Sequence, residues 1–279
     1  MAHATTPEEL ATLCRRLQLP TIGREAGRLA VEASRQQLSH LAYLTQVLTV
    51  EVAEREERRA LRRIKAAGFP LPKTLESFDF QRAPHLPEAL LHQLATGTYI
   101  AAAEPILFLG ESGTGKTHLA TALGMAAAQA GRAVRFVTAA QLVTELIEAR
   151  TAHELNRLVS RYTRLEVLIV DELGYLPLSR ADADLLFRVL SERHERRPVI
   201  VTTNLPFSEW TSVFPDARLC RAVVDRLTHR AHLIDTGTES IRLAEALART
   251  PKGRRASREP PAGLPVSPPK TETSTPKSH

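Results

Sequence analysis

The sequence predicts an α/β fold, a parallel sheet sandwiched by helices, preceded by a small all-α N-terminal domain. Three observations carry this. Short apolar runs, Ile106-Leu107-Phe108-Leu109, Val167-Leu168-Ile169-Val170 and Val199-Ile200-Val201-Thr202, alternate with stretches of helix formers, as strands buried on both faces do. The first run leads into Gly110-Glu111-Ser112-Gly113-Thr114-Gly115-Lys116-Thr117 and then into helix formers from His118 to Gln129. Strand, glycine-rich loop and helix in that order are the context of a phosphate-binding loop. Residues 7–67, by contrast, read as helices.

Leu10, Leu13 and Leu17 fall at helical spacing, with Thr6 as cap and Pro7 in the first turn. Gly23 and Gly27 are expected to break the pattern. A longer helix is expected from Ser39 through Lys65, with Leu41, Leu44, Val47 and Leu48 on one face. Gly68, Pro70 and Pro72 end it. The domain limits expected are 1–68 for the helical domain, 69–80 for a linker, 81–248 for the α/β domain and 249–279 for a tail. Beyond the linker a helix is expected over Glu88 to Thr96, a second strand at 134–137, helices over 141–150 and 153–164, and a helix over 180–195 capped by Ser179. Helices over 207–213 and 217–230 and a terminal hairpin, Leu233-Ile234 with Ser240 to Leu243, complete the domain.

The formal charge is +6, and residues 251–279 hold six basic and two acidic side chains, so the body is only mildly basic. Seven of those last 29 residues are Pro, and a segment of that composition is expected to stay disordered. The local basic segment is more informative. Residues 54–65 hold Arg55, Arg58, Arg59, Arg62, Arg63 and Lys65 against three acids. They read either as a solvated helix with pairs such as Glu54–Arg58 or as a face for a phosphate backbone. Cys14 and Cys220 form no C-x-x-C pair, which predicts a reducing cytoplasm and neither a zinc site nor a disulfide framework. No apolar run approaches the ~20 residues of a membrane span, and Met1 to Pro7 lack the regions of a signal peptide.

The chemistry follows from the loop. Gly110, Glu111, Ser112, Gly113, Thr114 and Gly115 let successive backbone N–H groups face phosphate oxygens, and the helix N-terminus adds positive dipole. Lys116 is placed to reach the outer phosphates and Thr117 to hold Mg²⁺. Asp171 and Glu172 follow a central strand and are expected beside the loop, Asp171 at Mg²⁺ and Glu172 at the attacking water. Asn204, after the fourth strand, is placed to hold the same water or sense the γ-phosphate. Arg226 is a candidate for completing a neighbour's site, with Arg221 and Arg230 as rivals and a surface ion pair as the plain alternative.

These motifs in this order resemble the AAA+ ATPases. Lys65 to Pro70 and Thr74 to Phe80 resemble the linker of the IstB/DnaC branch. The loop followed by His118-Leu119-Ala120, then Asp171 to Pro177, Thr202-Thr203-Asn204-Leu205, Trp210 and Asp225 to His229, resemble IstB-like proteins in particular. The resemblance spans residues 8–246. It implies a P-loop NTPase core that binds ATP and Mg²⁺, with His118 beside the nucleotide and Arg226 acting in trans. It also implies a homo-oligomer (ring, spiral or filament) on double-stranded DNA, and delivery of that DNA to a partner transposase. The Pro-rich tail is a departure from the pattern, and a full helical lid after the hairpin is expected to be missing.

Two other functions fit the same residues: a DnaC-like helicase loader on single-stranded DNA, and a nucleotide switch that binds only a protein. Aromatics are 5% of the chain, and residues 39–67 hold one, Tyr43, amid many arginines. Single-strand binders stack bases on aromatic side chains, so arginines without aromatics favour duplex backbone contact.

Overall fold

The computed structural model describes residues 6–175 and 177–241. The tail expected at 249–279, Leu176, and Arg242 and Leu243 of the expected hairpin lie outside the described residues.

Helices α1 (Pro7–Arg16), α2 (Pro20–Arg35) and α3 (His40–Ala67) come first. Thr6 and Glu9 form a capping box at α1. Ser39 caps α3, which runs 28 residues to Gly68, a rod of ~42 Å. Cys14, Ile22, Ala26, Leu29 and Val47 pack between the three. No side chain of α2's own N-cap closes that helix. Instead the buried Glu51 of α3 accepts the N–H groups of Thr21 (2.9 Å) and Ile22 (3.1 Å). A carboxylate at a helix N-terminus satisfies orphan donors and meets the positive dipole.

The expected break at Gly23 and Gly27 is corrected: α2 runs through both. Gly23 lies where α1 crosses, and a Cβ there would meet the Cys14 Cβ at 3.3 Å, so it permits a close helix approach rather than ending a helix. Leu41, Leu44 and Leu48 do not join the core; they are exposed, and Val47 alone of that set is buried.

Helices α4 (Glu88–Ala95) and α5 (Thr98–Ala102) precede the sheet, and α5 was not foreseen. Strands β1 (Ile106–Leu109), β2 (Val134–Thr138), β3 (Val167–Asp171), β4 (Val199–Thr203) and β5 (His232–Asp235) form one sheet in the order β2-β3-β4-β1-β5. Every pairing is parallel. The helices between them are α6 (Lys116–Gln129), α7 (Ala139–Thr151), α8 (Leu155–Arg164), α9 (Arg180–Arg193) and α10 (Ala217–Thr228). Side chains alternate across the strands. Leu107, Leu168, Val170, Val199 and Val201 face a layer of α7, α8, α9 and α10. Ile106, Phe108, Val167, Ile169 and Ile200 face α4, α5 and α6. This is the P-loop core expected from the AAA+ resemblance.

Two segments depart from expectation. Residues 207–212 form a 3-10 helix. The terminal hairpin does not form among the described residues. β5 instead pairs in parallel with β1, and the chain after Asp235 turns onto the loop at Gly110. The expected linker is packed rather than free: Leu75 and Phe78 are buried in the α6 layer, with Ala67 from the end of α3.

Candidate nucleotide site

β1 ends at Leu109 and α6 starts at Lys116, so the loop between them stands at the carboxyl end of the sheet, flanked by β4 and β5. Sites in open parallel sheets form at that end. Gly113 and Gly115 leave no room for a side chain. Gly113 has φ +87° and a Cβ would fall 2.2 Å from the Ser240 Oγ; Gly115 has φ +97° and a Cβ would fall 2.5 Å from the Phe78 ring. The loop is thus squeezed between the expected linker and the segment after β5. That segment fastens it: the Glu111 N–H donates to the Gly237 carbonyl (3.0 Å), the Ile241 N–H to the Gly113 carbonyl (3.1 Å), and the Thr114 and Thr236 hydroxyls meet at 2.6 Å.

Lys116 Nζ donates to the carbonyls of Gly110 (2.7 Å) and Glu111 (2.6 Å). Thr117, one residue on, donates its hydroxyl to Asp171 at 3.0 and 3.2 Å. The buried Thr202 hydroxyl donates to Asp171 Oδ1 at 2.5 Å and accepts the Glu172 N–H at 2.9 Å. Glu172 has φ +59°, a left-handed conformation that a side chain adopts at a cost of about 1 kcal/mol or more. The Thr202 hydroxyl, with the Leu173 N–H bonded to the Thr202 carbonyl (2.9 Å), holds it there. Asp171 is buried and Glu172 exposed. One carboxylate is therefore locked and the other faces the opening.

A cavity of about 100 Å³ lies between the loop and the end of β4, lined by Ser112, Lys116, Thr117, Glu172, Thr203 and Asn204 among others. It has room for phosphate groups rather than a whole nucleotide, since pockets for drug-sized ligands run to several hundred Å³. Beside the loop, His118 Nε2 meets the Thr74 carbonyl (2.9 Å) and the Ser77 hydroxyl (3.2 Å), with its ring against Phe78. The structure thus brings together Gly110 to Thr117, His118, Asp171, Glu172 and Asn204.

It does not bring Arg226 to this cavity. Arg226 lies in the last turn of α10, shortly before β5 begins at His232, and so at the amino ends of the strands. Its guanidinium stacks over the Phe187 ring at 4.6 Å and donates to the Ala222 carbonyl. Asp216 caps α10; hydrogen bonds from the Leu219 and Arg218 N–H groups hold its carboxyl below the usual range. Of the rivals, Arg230 pairs with Glu104 (3.2 Å) and Arg221 donates to the Ala217 carbonyl.

The basic residues of α3 divide. Arg55 donates to the Gln18 carbonyl (2.6 Å) and Glu51 (3.3 Å), and Arg58 to the Thr21 hydroxyl (3.2 Å), with Glu51 and Glu54 beyond. These two tie α3 to the start of α2, which includes the Glu54–Arg58 pair of the plain reading. Arg59 and Arg62 line an open groove beside Leu19 and Pro20. Arg63 faces the junction with β2, and Lys65 is exposed. A separate group, His194, Glu195 and His229, brings three ligand atoms within 4.8 Å of one another. Arg193, Arg196 and Arg197 adjoin it in sequence, and their charge disfavours a cation there.

Thr202 and Thr236 were not foreseen. Thr202 stands two residues before Asn204, and its hydroxyl carries no role in the sequence alone; Thr236 falls in the turn of the expected hairpin.

The overall fold is similar to that of AMPPCP-bound DnaA from Aquifex aeolicus, with a TM-score of 0.51 and 21% identity, over 60% of this chain and 51% of that one. Closer relatives are insertion-sequence proteins named for ATP binding. The one from IS5376 of Geobacillus stearothermophilus is 37% identical over 238 residues, 85% of this chain and 95% of the relative. The one from IS21 of Pseudomonas aeruginosa is 36% identical over 237 residues, 85% and 89% of the two chains. The profile of the IstB-like ATP binding proteins matches residues 12–248, and the chain belongs to that family.

Proposed function

We propose that this protein is an ATP-dependent, DNA-binding helper of transposition. It assembles as a homo-oligomer on double-stranded target DNA, hydrolyses ATP and delivers that DNA to a partner transposase in the cytoplasm. Residues 1–68 serve as the DNA- and partner-binding domain, 69–80 as a packed linker and 81–248 as the ATPase. The insertion-sequence names of the relatives support the setting. Among the described residues no helix is long and apolar enough to cross a membrane.

The observation that carries the enzymatic reading is the chain Thr117–Asp171–Thr202 with Glu172 at its open end. The Thr117 hydroxyl and the Asp171 carboxylate are hard oxygen donors side by side, the donor set that suits Mg²⁺. They would hold that ion, which when bound neutralises charge on the phosphate oxygens. The loop amides and Lys116 hold the phosphates. Glu172, outside the locked pair, orients and polarises the water, and Asn204 borders the same space.

Arg226 and the loop lie at opposite ends of the same sheet, so one subunit cannot bring them together. A head-to-tail neighbour can, and such a contact closes a ring or propagates a spiral or filament. Arg226 of one subunit then stabilises charge in the site of the next. Arg59 and Arg62, along the open groove of α3, hold duplex backbone, and hydrolysis loosens the assembly.

Phosphate release tests the reading. Turnover that needs Mg²⁺ and is lost in Glu172→Gln, with ATP binding retained, supports it. A Glu172→Gln variant that turns over like wild type contradicts the role of Glu172.

A further inference from the structure

A second cavity, of about 410 Å³, opens where the end of α3 meets the start of β2. It is lined by Arg63, Arg135 and Arg161, with Ala66, Tyr162 and Leu165 among its walls. Arg63 belongs to the helical segment and the other two to the ATPase core. Arginines reach the seam from both sides. Arg63 lies against Gly131, where a Cβ would stand 3.8 Å from its Nη1; Arg135 lies against Gly68, where a Cβ would stand 2.8 Å from its Nη1.

One carboxylate serves this cluster. Glu145 takes Arg135 (3.3 Å), Arg161 (3.2 Å) and the Tyr162 hydroxyl (2.6 Å), so both its oxygens are engaged. Arg63, half-buried, has no carboxylate partner among the described residues. Three guanidinium groups against one carboxylate leave the cavity positive, and planar forks of this kind suit phosphate oxygens.

We propose that this cavity seats a backbone phosphate of the duplex, a second contact beyond the exposed face of α3. The inference rests on the DNA-binding reading above. A nucleic-acid backbone is favoured over an acidic peptide by continuity: Arg59, in the open groove, lies one turn before Arg63 on the same side of α3. The basic surface therefore runs from the helix onto the core. The seat also has a route to the ATP site. β2 pairs with β3 in register, Arg135 beside Leu168 and Thr138 beside Asp171, so a phosphate at Arg135 bears on the strand that flanks the Asp171 carboxylate, ~10 Å away along β2.

Duplex affinity across a salt series tests the seat, with the full chain as wild type, as the double variant Arg135→Gln with Arg161→Gln, and as Glu145→Gln. The double variant is expected to bind more weakly, with a slope of log K against log salt shallower by ~0.9, the loss of one phosphate contact. Glu145→Gln keeps an acceptor for Tyr162 but removes the internal counter-charge, and is expected to bind severalfold more tightly. It also tests the seat if the double variant does not fold. An unchanged slope and unchanged Glu145→Gln affinity, with wild-type duplex binding intact, overturn the seat and leave the DNA-binding reading standing. Failure of the wild type to bind duplex overturns both. Loss of binding to a polyglutamate peptide in the double variant, with the duplex slope unchanged, assigns the cavity to a protein partner and overturns the proposal.

Discussion

The Thr202 hydroxyl donates to Asp171 Oδ1 at 2.5 Å and in the same position accepts the N–H of Glu172 at 2.9 Å. One buried oxygen on β4 thus sets the carboxylate of one acidic residue and the backbone of the next. Thr202→Val keeps the shape and removes the hydroxyl. It leaves the Glu172 N–H and one Asp171 oxygen without this partner, at a cost of about 1–3 kcal/mol. Misplacing Glu172 is expected to lower turnover on the order of a hundredfold, while Thr202→Ser keeps both bonds and most of the rate. Phosphate release and thermal melting check this; wild-type turnover in Thr202→Val contradicts it.

Arg226 is expected to act on the neighbour. Arg226→Ala gives up its stacking on Phe187, a contact worth about 0.5–1 kcal/mol at such a site, so the subunit still folds. Its hydrolysis is expected to fall by about 10³-fold or more. Mixing it with Lys116→Ala pairs an intact loop with an intact arginine at some junctions, and turnover is expected to reappear. A mixture as inactive as its two components contradicts trans action.

Much of the core was legible because its strands are buried on both faces. Ile106 to Leu109, Val167 to Val170 and Val199 to Thr202 carry no polar interruption until their ends, and the loop lies directly after the first. The loop, Asp171 and Glu172 could be placed because their positions follow from strand ends. The N-terminal segment was less legible. Gly23 reads as a helix breaker until Cys14 is seen against it, and the leucines of α3 share a face with Val47 in the sequence although the buried face of that helix is set by Val47 and Glu51. The segment after β5 reads as a hairpin because Thr236-Gly237-Thr238 splits Leu233-Ile234 from Ser240 to Leu243. What decides it is tertiary: β5 pairs with β1, and Thr236 and Gly237 bond the phosphate loop. Thr202 could not be read because its role exists only once β3 and β4 lie side by side.

Glu51 is expected to matter to folding rather than to turnover. It caps α2 from α3 and pairs with Arg55 and Arg58 while buried. Glu51→Ala leaves two amide donors and a partly shielded arginine pair without their acceptor, and is expected to cost about 3 kcal/mol. Denaturant unfolding measures it. A loss below about 0.5 kcal/mol, the range of an ordinary surface substitution, contradicts this account of the N-terminal helices.

Assembly of the Glu172→Gln variant tests the central claim most directly. The variant keeps the loop, Thr117 and Asp171 while removing the carboxylate at the water, so it holds the ATP state. Sedimentation is run with ATP, on matched duplex and single-stranded DNA, at two salt concentrations. The account predicts large complexes that require ATP, form on duplex and weaken at the higher salt. A preference for single strands points to a helicase loader, and the absence of any DNA complex points to a protein-binding switch; either result contradicts a transposition helper that assembles on duplex DNA.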